Sequence, residues 1–141
     1  MILLAEAAAV HRVAFASAPD RFAADVRRLL EAAHRIDAPS VAAARDERRL
    51  LRSEVTRILR EFDLVAAPTI QIVAPLRDDA HGADVSSRLV EFTCLPNVVG
   101  MPALSVPLRT AGLPVGLQLV ARGSGSLLGV AAAIETLTTS A

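Results

Sequence analysis

The chain has 141 residues, enough for one domain that buries roughly two-thirds of its unfolded surface. Hydrophobic residues make up 52% of it, mostly Ala, Leu and Val, and aromatics only 3%; this balance favours helices and leaves few large groups to anchor an independent core. Basic and acidic residues number 15 each and cancel, which argues against a nucleic-acid partner, and a single cysteine excludes an intrachain disulfide and fits a reducing compartment.

Residues 2–16 lack turn residues and predict a helix that ends before Pro19. Glu6 interrupts its apolar start and no basic segment precedes it, so it does not read as a secretory signal. No run reaches the ~18 apolar residues of a bilayer span. A cytoplasmic protein without a membrane partner is expected. Asp20 is the expected cap of a second helix, whose apolar face is Phe22, Val26, Leu29, Leu30 and Ala33. Residues 36–39 break it, and Ser40 opens the clearest helix of the chain. There Ala44, Leu51, Val55, Ile58 and Phe62 share one stripe, with Arg45, Asp46, Arg49, Arg52 and Arg60 opposite. The pairs Asp46/Arg49, Glu54/Arg57 and Arg57/Glu61 sit one turn apart, each contributing about 0.2–0.5 kcal/mol. Acids interleaved with the arginines mark a solvated helix face rather than a nucleic-acid surface.

Residues 63–68 form a short apolar run closed by proline, as expected of a buried strand. Residues 69–87 are polar and aperiodic, a long loop. Residues 88–99 predict a helix with Pro96 at a kink or a start, ended by Gly100 and Pro102. Residues 103–108 and 115–121 predict a hairpin whose turn places Gly112 at positive φ. Residues 122–126 break the pattern and residues 127–137 close the chain as a helix. The fold class is therefore α/β: three helices, then a small mixed sheet of about three strands including the hairpin, with flanking helices. Residues 64–67 and 117–121 are nearly continuously apolar, which implies strands covered on both faces, and need more cover than these helices supply. A single partial domain over 1–141 follows.

Three segments carry a family resemblance. Residues 61–69 read Glu-Phe-Asp-Leu-Val-Ala-Ala-Pro-Thr. Residues 92–107 read Phe-Thr-Cys-Leu-Pro-Asn-Val-Val-Gly-Met-Pro-Ala-Leu-Ser-Val-Pro, and residues 112–122 read Gly-Leu-Pro-Val-Gly-Leu-Gln-Leu-Val-Ala-Arg. In this order and spacing they resemble the carboxy-terminal third of the amidase-signature enzymes; residues 6–11 fit a weaker upstream pattern. The resemblance implies amide-bond hydrolysis by a serine activated through a second serine and a lysine. A serine hydroxyl needs such a base, and arginine stays protonated and cannot serve. The chain contains no lysine and no Gly-Gly-Ser-Ser-Gly-Gly-type stretch; residues 123–126 are a superficial echo. No catalytic residue, metal or cofactor is therefore assigned. The last helix matches the family's final helix, so a complete carboxy terminus is expected.

The resemblance also marks Thr93 and Asn97. Asn97 either bonds backbone freed where helix turns to strand or touches substrate in a full enzyme, and Thr93 invites the same two readings. Gln118 is expected to meet a local backbone group, and Gly116 to admit a close neighbour. Family members that amidate tRNA-linked glutamate carry an aspartate shortly before the Thr93 position, where this chain offers Glu91. Other groupings are weaker. Cys94 with Asn97 and His11, His34 or His81 has no spacing that assembles a hydrolase. Asp78, Asp79, His81 and Asp84 match no metal-loop pattern. Ser86 and Ser87 lack a base. Two expectations remain: a carboxy-terminal amidase portion, inactive alone and completed by an amino-terminal amidase segment, or a non-catalytic remnant that self-associates or binds a partner through exposed apolar surface.

Overall fold

The computed structural model describes residues 1–80 and 82–139. Five helices and three strands follow the expected order: α1 (Ile2–Ser17), α2 (Ala24–Ala33), α3 (Ala38–Glu61), β1 (Val65–Pro68), α4 (Ala83–Val99), β2 (Ala103–Leu108), β3 (Val115–Val120) and α5 (Ser124–Thr139). The α/β class is borne out. The chain divides into two compact units, Met1–Leu50 and the chain from Leu51 onward, so that the boundary falls within α3.

In the first unit α1 packs on α2, burying Ala8, Leu30 and Ala33. Phe15 stands edge-on to Phe22 and His34, at 5.5 and 5.8 Å between ring centres, and His11 meets Phe22 at 5.7 Å. Asp20 does not cap α2. It lies in a 3-10 turn, Pro19–Arg21, and pairs with Arg27 at 2.6 Å, while α2 starts at Ala24 without a side-chain cap. The break expected over residues 36–39 falls at residues 34–37 instead, and α3 begins at Ala38, two residues before Ser40. Asp37 caps α3: its carbonyl accepts the Val41 N–H at 3.2 Å and its carboxylate the Ser40 N–H at 2.8 Å. Pro39 then falls in the first turn, where a helix has no use for the missing N–H.

The expected ion pairs form on α3: Arg49 to Asp46 at 2.6 Å, and Arg57 to Glu54 and Glu61 at 3.2 and 3.5 Å. All are exposed, so each adds little. The expected apolar stripe fares differently. Leu59, one residue off it, is the side chain fully buried, while Leu51, Ile58 and Phe62 stay exposed.

The second unit is built on a sheet with strand order β1–β3–β2, antiparallel on both ladders. A mixed sheet was the expectation. After α4 the chain does return in β2 parallel to β1, but β3, the second strand of the hairpin, takes the place between them. Paired residues run Val65↔Val120 to Pro68↔Leu117 and Ala103↔Val120 to Leu108↔Val115. The Thr69 N–H to Gly116 carbonyl bond (2.8 Å) and the Ala121 N–H to Pro102 carbonyl bond (3.2 Å) fix which groups face inward. By that alternation Pro68 and Pro107 sit where the strand's N–H would point out of the sheet. Each outer edge thus loses a donor, a common guard against further pairing.

One sheet face packs on α5, giving a core of Val106, Leu119, Ala121, Leu127 and Ala131, flanked by Leu104, Leu117, Val130 and Ile134. The other differences are local. α4 begins at Ala83, so the connection after β1 covers residues 69–82 rather than 69–87. Gly112 does not have positive φ; among the described residues Gly100 alone does. Thr110 secures the hairpin turn instead, its hydroxyl donating to the Leu113 carbonyl (2.7 Å) and accepting from the Gly112 N–H (3.3 Å).

Hydrogen bonds from the Ser40 side chain and then its backbone N–H hold the Asp37 carboxyl below its ordinary value. A depressed carboxyl stabilises the fold above the unfolded-chain value and loses that contribution as pH falls through the lower folded value. Thermal melts followed by circular dichroism should therefore show an extra loss of stability for the native chain below about pH 4. Asp37→Asn, which keeps an acceptor but does not titrate, should flatten that acid limb, and Asp37→Ala should lower the melting temperature at neutral pH.

Candidate functional site

Pro96 lies inside the last turns of α4 and has no N–H to give the carbonyl of Phe92 four residues back. The Gln118 side-chain amide, buried in the central strand, donates to that carbonyl at 3.0 Å. Gln118 thus meets a backbone group, as expected, and ties α4 to β3. The helix ends in a Schellman arrangement. Gly100 adopts the left-handed conformation (φ 65°, ψ 41°), and the Met101 N–H reaches back to the Pro96 carbonyl at 3.0 Å. Arg52 of α3 adds its guanidinium to the Val99 carbonyl at 2.9 Å, a cation at the negative end of the helix.

A second junction lies where β1 ends. Thr69 Oγ1 and Ser105 Oγ stand 2.6 Å apart across Gly116. A Cβ on Gly116 would lie 2.6 Å from the first oxygen and 2.7 Å from the second, so glycine is what lets the two hydroxyls meet. Two residues on, the Gln71 side-chain amide donates to the Glu91 carboxylate of α4. Bonds therefore join Thr69 to Ser105, Gln71 to Glu91 and Gln118 to Phe92. Together they bring the segment after β1, the two hairpin strands and α4 into one polar junction.

Thr93 and Asn97 sit on the same face of α4, one turn apart. Thr93 is half-buried and donates its hydroxyl to the Val90 carbonyl at 3.0 Å; Asn97 is exposed and donates its side-chain amide to the Thr93 carbonyl at 2.8 Å. Cys94 is an exposed free thiol. His11 and His34 belong to the aromatic cluster of the first unit, and His81 lies outside the described residues. Among the described residues no three His, Cys, Asp or Glu side chains converge on a metal position. No described helix is long and apolar enough to cross a membrane. The junction offers hydroxyl, amide and carboxylate groups for binding polar atoms, and it lacks a serine held by a base. Sequence reasoning missed the Thr69–Ser105 pair and the Gln71–Glu91 bond. The available signal was Gly116, whose need for a close neighbour was read without naming the neighbours.

Comparison with known proteins bears on family and fold. The family model described as Amidase matches residues 2–125. Fatty acid amide hydrolase of Oryza sativa subsp. indica is 38% identical over 107 residues, covering 69% of this chain and 17% of that protein. A glutamyl-tRNA(Gln) amidotransferase component from Sulfolobus acidocaldarius is 37% identical over 75 residues, 52% of this chain and 16% of its own. A crystal structure of an amidase superposes with a TM-score of 0.87 at 28% identity, over 96% of this chain and 33% of that one. The chain thus spans about a sixth of these relatives' length and a third of the crystallised amidase.

Replacing Gln118 with leucine should leave the Phe92 carbonyl unpaired and cost about 1–3 kcal/mol in urea unfolding. Pro96→Ala supplies the missing N–H, so the same Gln118→Leu change should cost less than half as much in that background. Equal costs in both backgrounds would show that Gln118 acts by packing alone.

Proposed function

Because this chain belongs to the amidase family, we propose that it forms the carboxy-terminal part of an enzyme hydrolysing carboxylic amide C–N bonds. Its nucleophile and base come from polypeptide outside these 141 residues. One observation carries this reading: the family match runs over residues 2–125 of a chain whose 15 basic residues are all arginine. Attack on an amide carbon requires that a serine lose its proton to a base, and that the base then protonate the departing nitrogen. A lysine of depressed pKa can take and return that proton; arginine cannot, at any working pH. Ser17, Ser87, Ser105 and Ser126 direct their hydroxyls to another hydroxyl or to backbone carbonyls, and none of these partners is a base.

On this reading the chain contributes wall and support. Thr93 and Asn97 line the substrate pocket of the assembled enzyme from α4, beside the junction of Gln71, Glu91 and Ser105. Glu91 stands near the position where relatives acting on tRNA-linked glutamate place an aspartate. The two relatives' names differ in the amide they act on, and the part shared with this chain does not choose between them. A reducing cytoplasm, where the exposed thiol of Cys94 stays free, completes the proposal.

The purified chain should hydrolyse none of a panel of aliphatic and aryl amides by itself. Mixed with a polypeptide that supplies the rest of the amidase fold, it should give turnover that disappears when that polypeptide's nucleophilic serine is changed to alanine. Turnover by the chain alone, co-purifying with it and surviving Cys94→Ala, would overturn the proposal.

A further inference from the structure

Pro96 leaves the Phe92 carbonyl without its intrahelical donor, and Gln118 supplies one at 3.0 Å. That carbonyl belongs to the peptide group that joins Phe92 to Thr93. One peptide further on, the Thr93 carbonyl accepts the Asn97 side-chain amide at 2.8 Å. A short chain of bonds therefore runs from the central strand, through the peptides on either side of Thr93, to an exposed amide side chain. Side-chain donors reach α4 from three other places in the chain, Arg52, Gln71 and Gln118, and of these only Gln118 is buried. It stands in β3, paired with Ala67 on one side and Ser105 on the other, so it is held as firmly as the sheet itself. Asn97 keeps a second N–H and its carbonyl oxygen for a further partner. A donor and an acceptor on one planar group match the oxygen and N–H of a carboxamide.

We propose that Gln118 is a positioning residue for the substrate pocket: through the Phe92 carbonyl it holds the last turns of α4 so that Asn97 presents its donor and acceptor to an amide group of the substrate. This inference rests on the functional reading above, in which Thr93 and Asn97 line that pocket. The physical reason is where a stranded carbonyl goes. With no donor inside the protein, the Phe92 carbonyl turns toward water, which tilts its peptide and opens the helix turn. The tilt passes straight into Thr93 and moves the carbonyl that holds Asn97. The Thr93 hydroxyl does not substitute for Gln118, because its bond to the Val90 carbonyl at 3.0 Å ties Thr93 to the preceding turn and not to the one Asn97 occupies. A group that binds substrate equally before and during the chemical step affects KM rather than kcat, so that is where the loss of Gln118 should register.

Two measurements test this, with circular dichroism confirming that each variant is folded. In the full chain alone, the NMR signals of the Asn97 side-chain amide should move in Gln118→Met, which keeps the length of the side chain and removes its donor. In the full chain combined with a polypeptide that supplies the rest of the amidase fold, Gln118→Met should raise KM for an amide substrate about fivefold, the loss of one hydrogen bond, with kcat nearly unchanged. Asn97→Ala should do the same, and the two changes together should cost no more than either alone. Pro96→Ala and Pro96→Ala/Gln118→Met, in which α4 supplies its own donor, should match the native chain in both measurements. Unmoved Asn97 signals, KM effects that multiply, or a loss confined to kcat would overturn the positioning role and leave the functional reading standing. Moved signals with no turnover from the native pair would overturn the functional reading and the pocket role with it, while the hold of Gln118 on Asn97 stands.

Discussion

Pro96 sets a constraint that reaches through the second unit. A proline near the end of a helix strands one carbonyl, and a stranded buried carbonyl is costly unless some donor reaches it. Here the donor comes from Gln118 of β3, the strand with a neighbour on both sides. One bond therefore fixes how α4 lies against the sheet. Once α4 is fixed, Gly100 can turn the chain sharply, and Pro102 offers its carbonyl to Ala121, setting the register of β2 against β3. The register in turn places Ser105 beside Gly116, and Gly116 is what admits Thr69. The polar junction, the hairpin and the helix end thus meet around the carbonyl that Pro96 leaves without an intrahelical partner.

The same economy shows in the arginines. Arg57 and Arg49 spend their charge on exposed pairs within α3, where water screens them. Arg52, on the same helix, caps α4 from outside and adds a packing role, since its guanidinium lies 3.0 Å from where a Cβ on Gly100 would sit. Two reasons then favour glycine at position 100: the left-handed backbone and the nearby cation. The aromatic-poor core behaves consistently. Val106, Leu119, Ala121, Leu127 and Ala131 are medium or small side chains, and such a core fills the space between one helix and one sheet face without anchoring a further layer.

Element order and kind were legible because they rest on local signals: periodicity, proline, glycine and charge spacing. The α3 ion pairs, the hairpin and the Gly100 helix end followed from spacing within one turn or one strand. What failed depended on a partner elsewhere. The break between α2 and α3 was placed too late, at residues 36–39, because Asp37 caps the helix and Pro39 falls within its first turn. Gly112 was assigned positive φ from turn statistics, whereas the Thr110 side chain supplies the bonds that such a turn would otherwise need from backbone. The sheet was expected to be mixed because the insertion of β3 between β1 and β2 leaves no mark in any single segment. The buried side of α3 was placed one residue off for a related reason. Both Ile58 and Leu59 are good core residues, and only the packing of the second unit chooses between them.

The polar junction bears on function through its chemistry. Hydroxyl and amide groups that answer one another across Gly116 and α4 can hold a polar ligand in place, but moving its protons needs a group that titrates in the working range. Arginine, the chain's only basic side chain besides histidine, is fixed in one state. On the proposed reading this part shapes the site, and the serine and lysine of the chemistry lie outside these 141 residues.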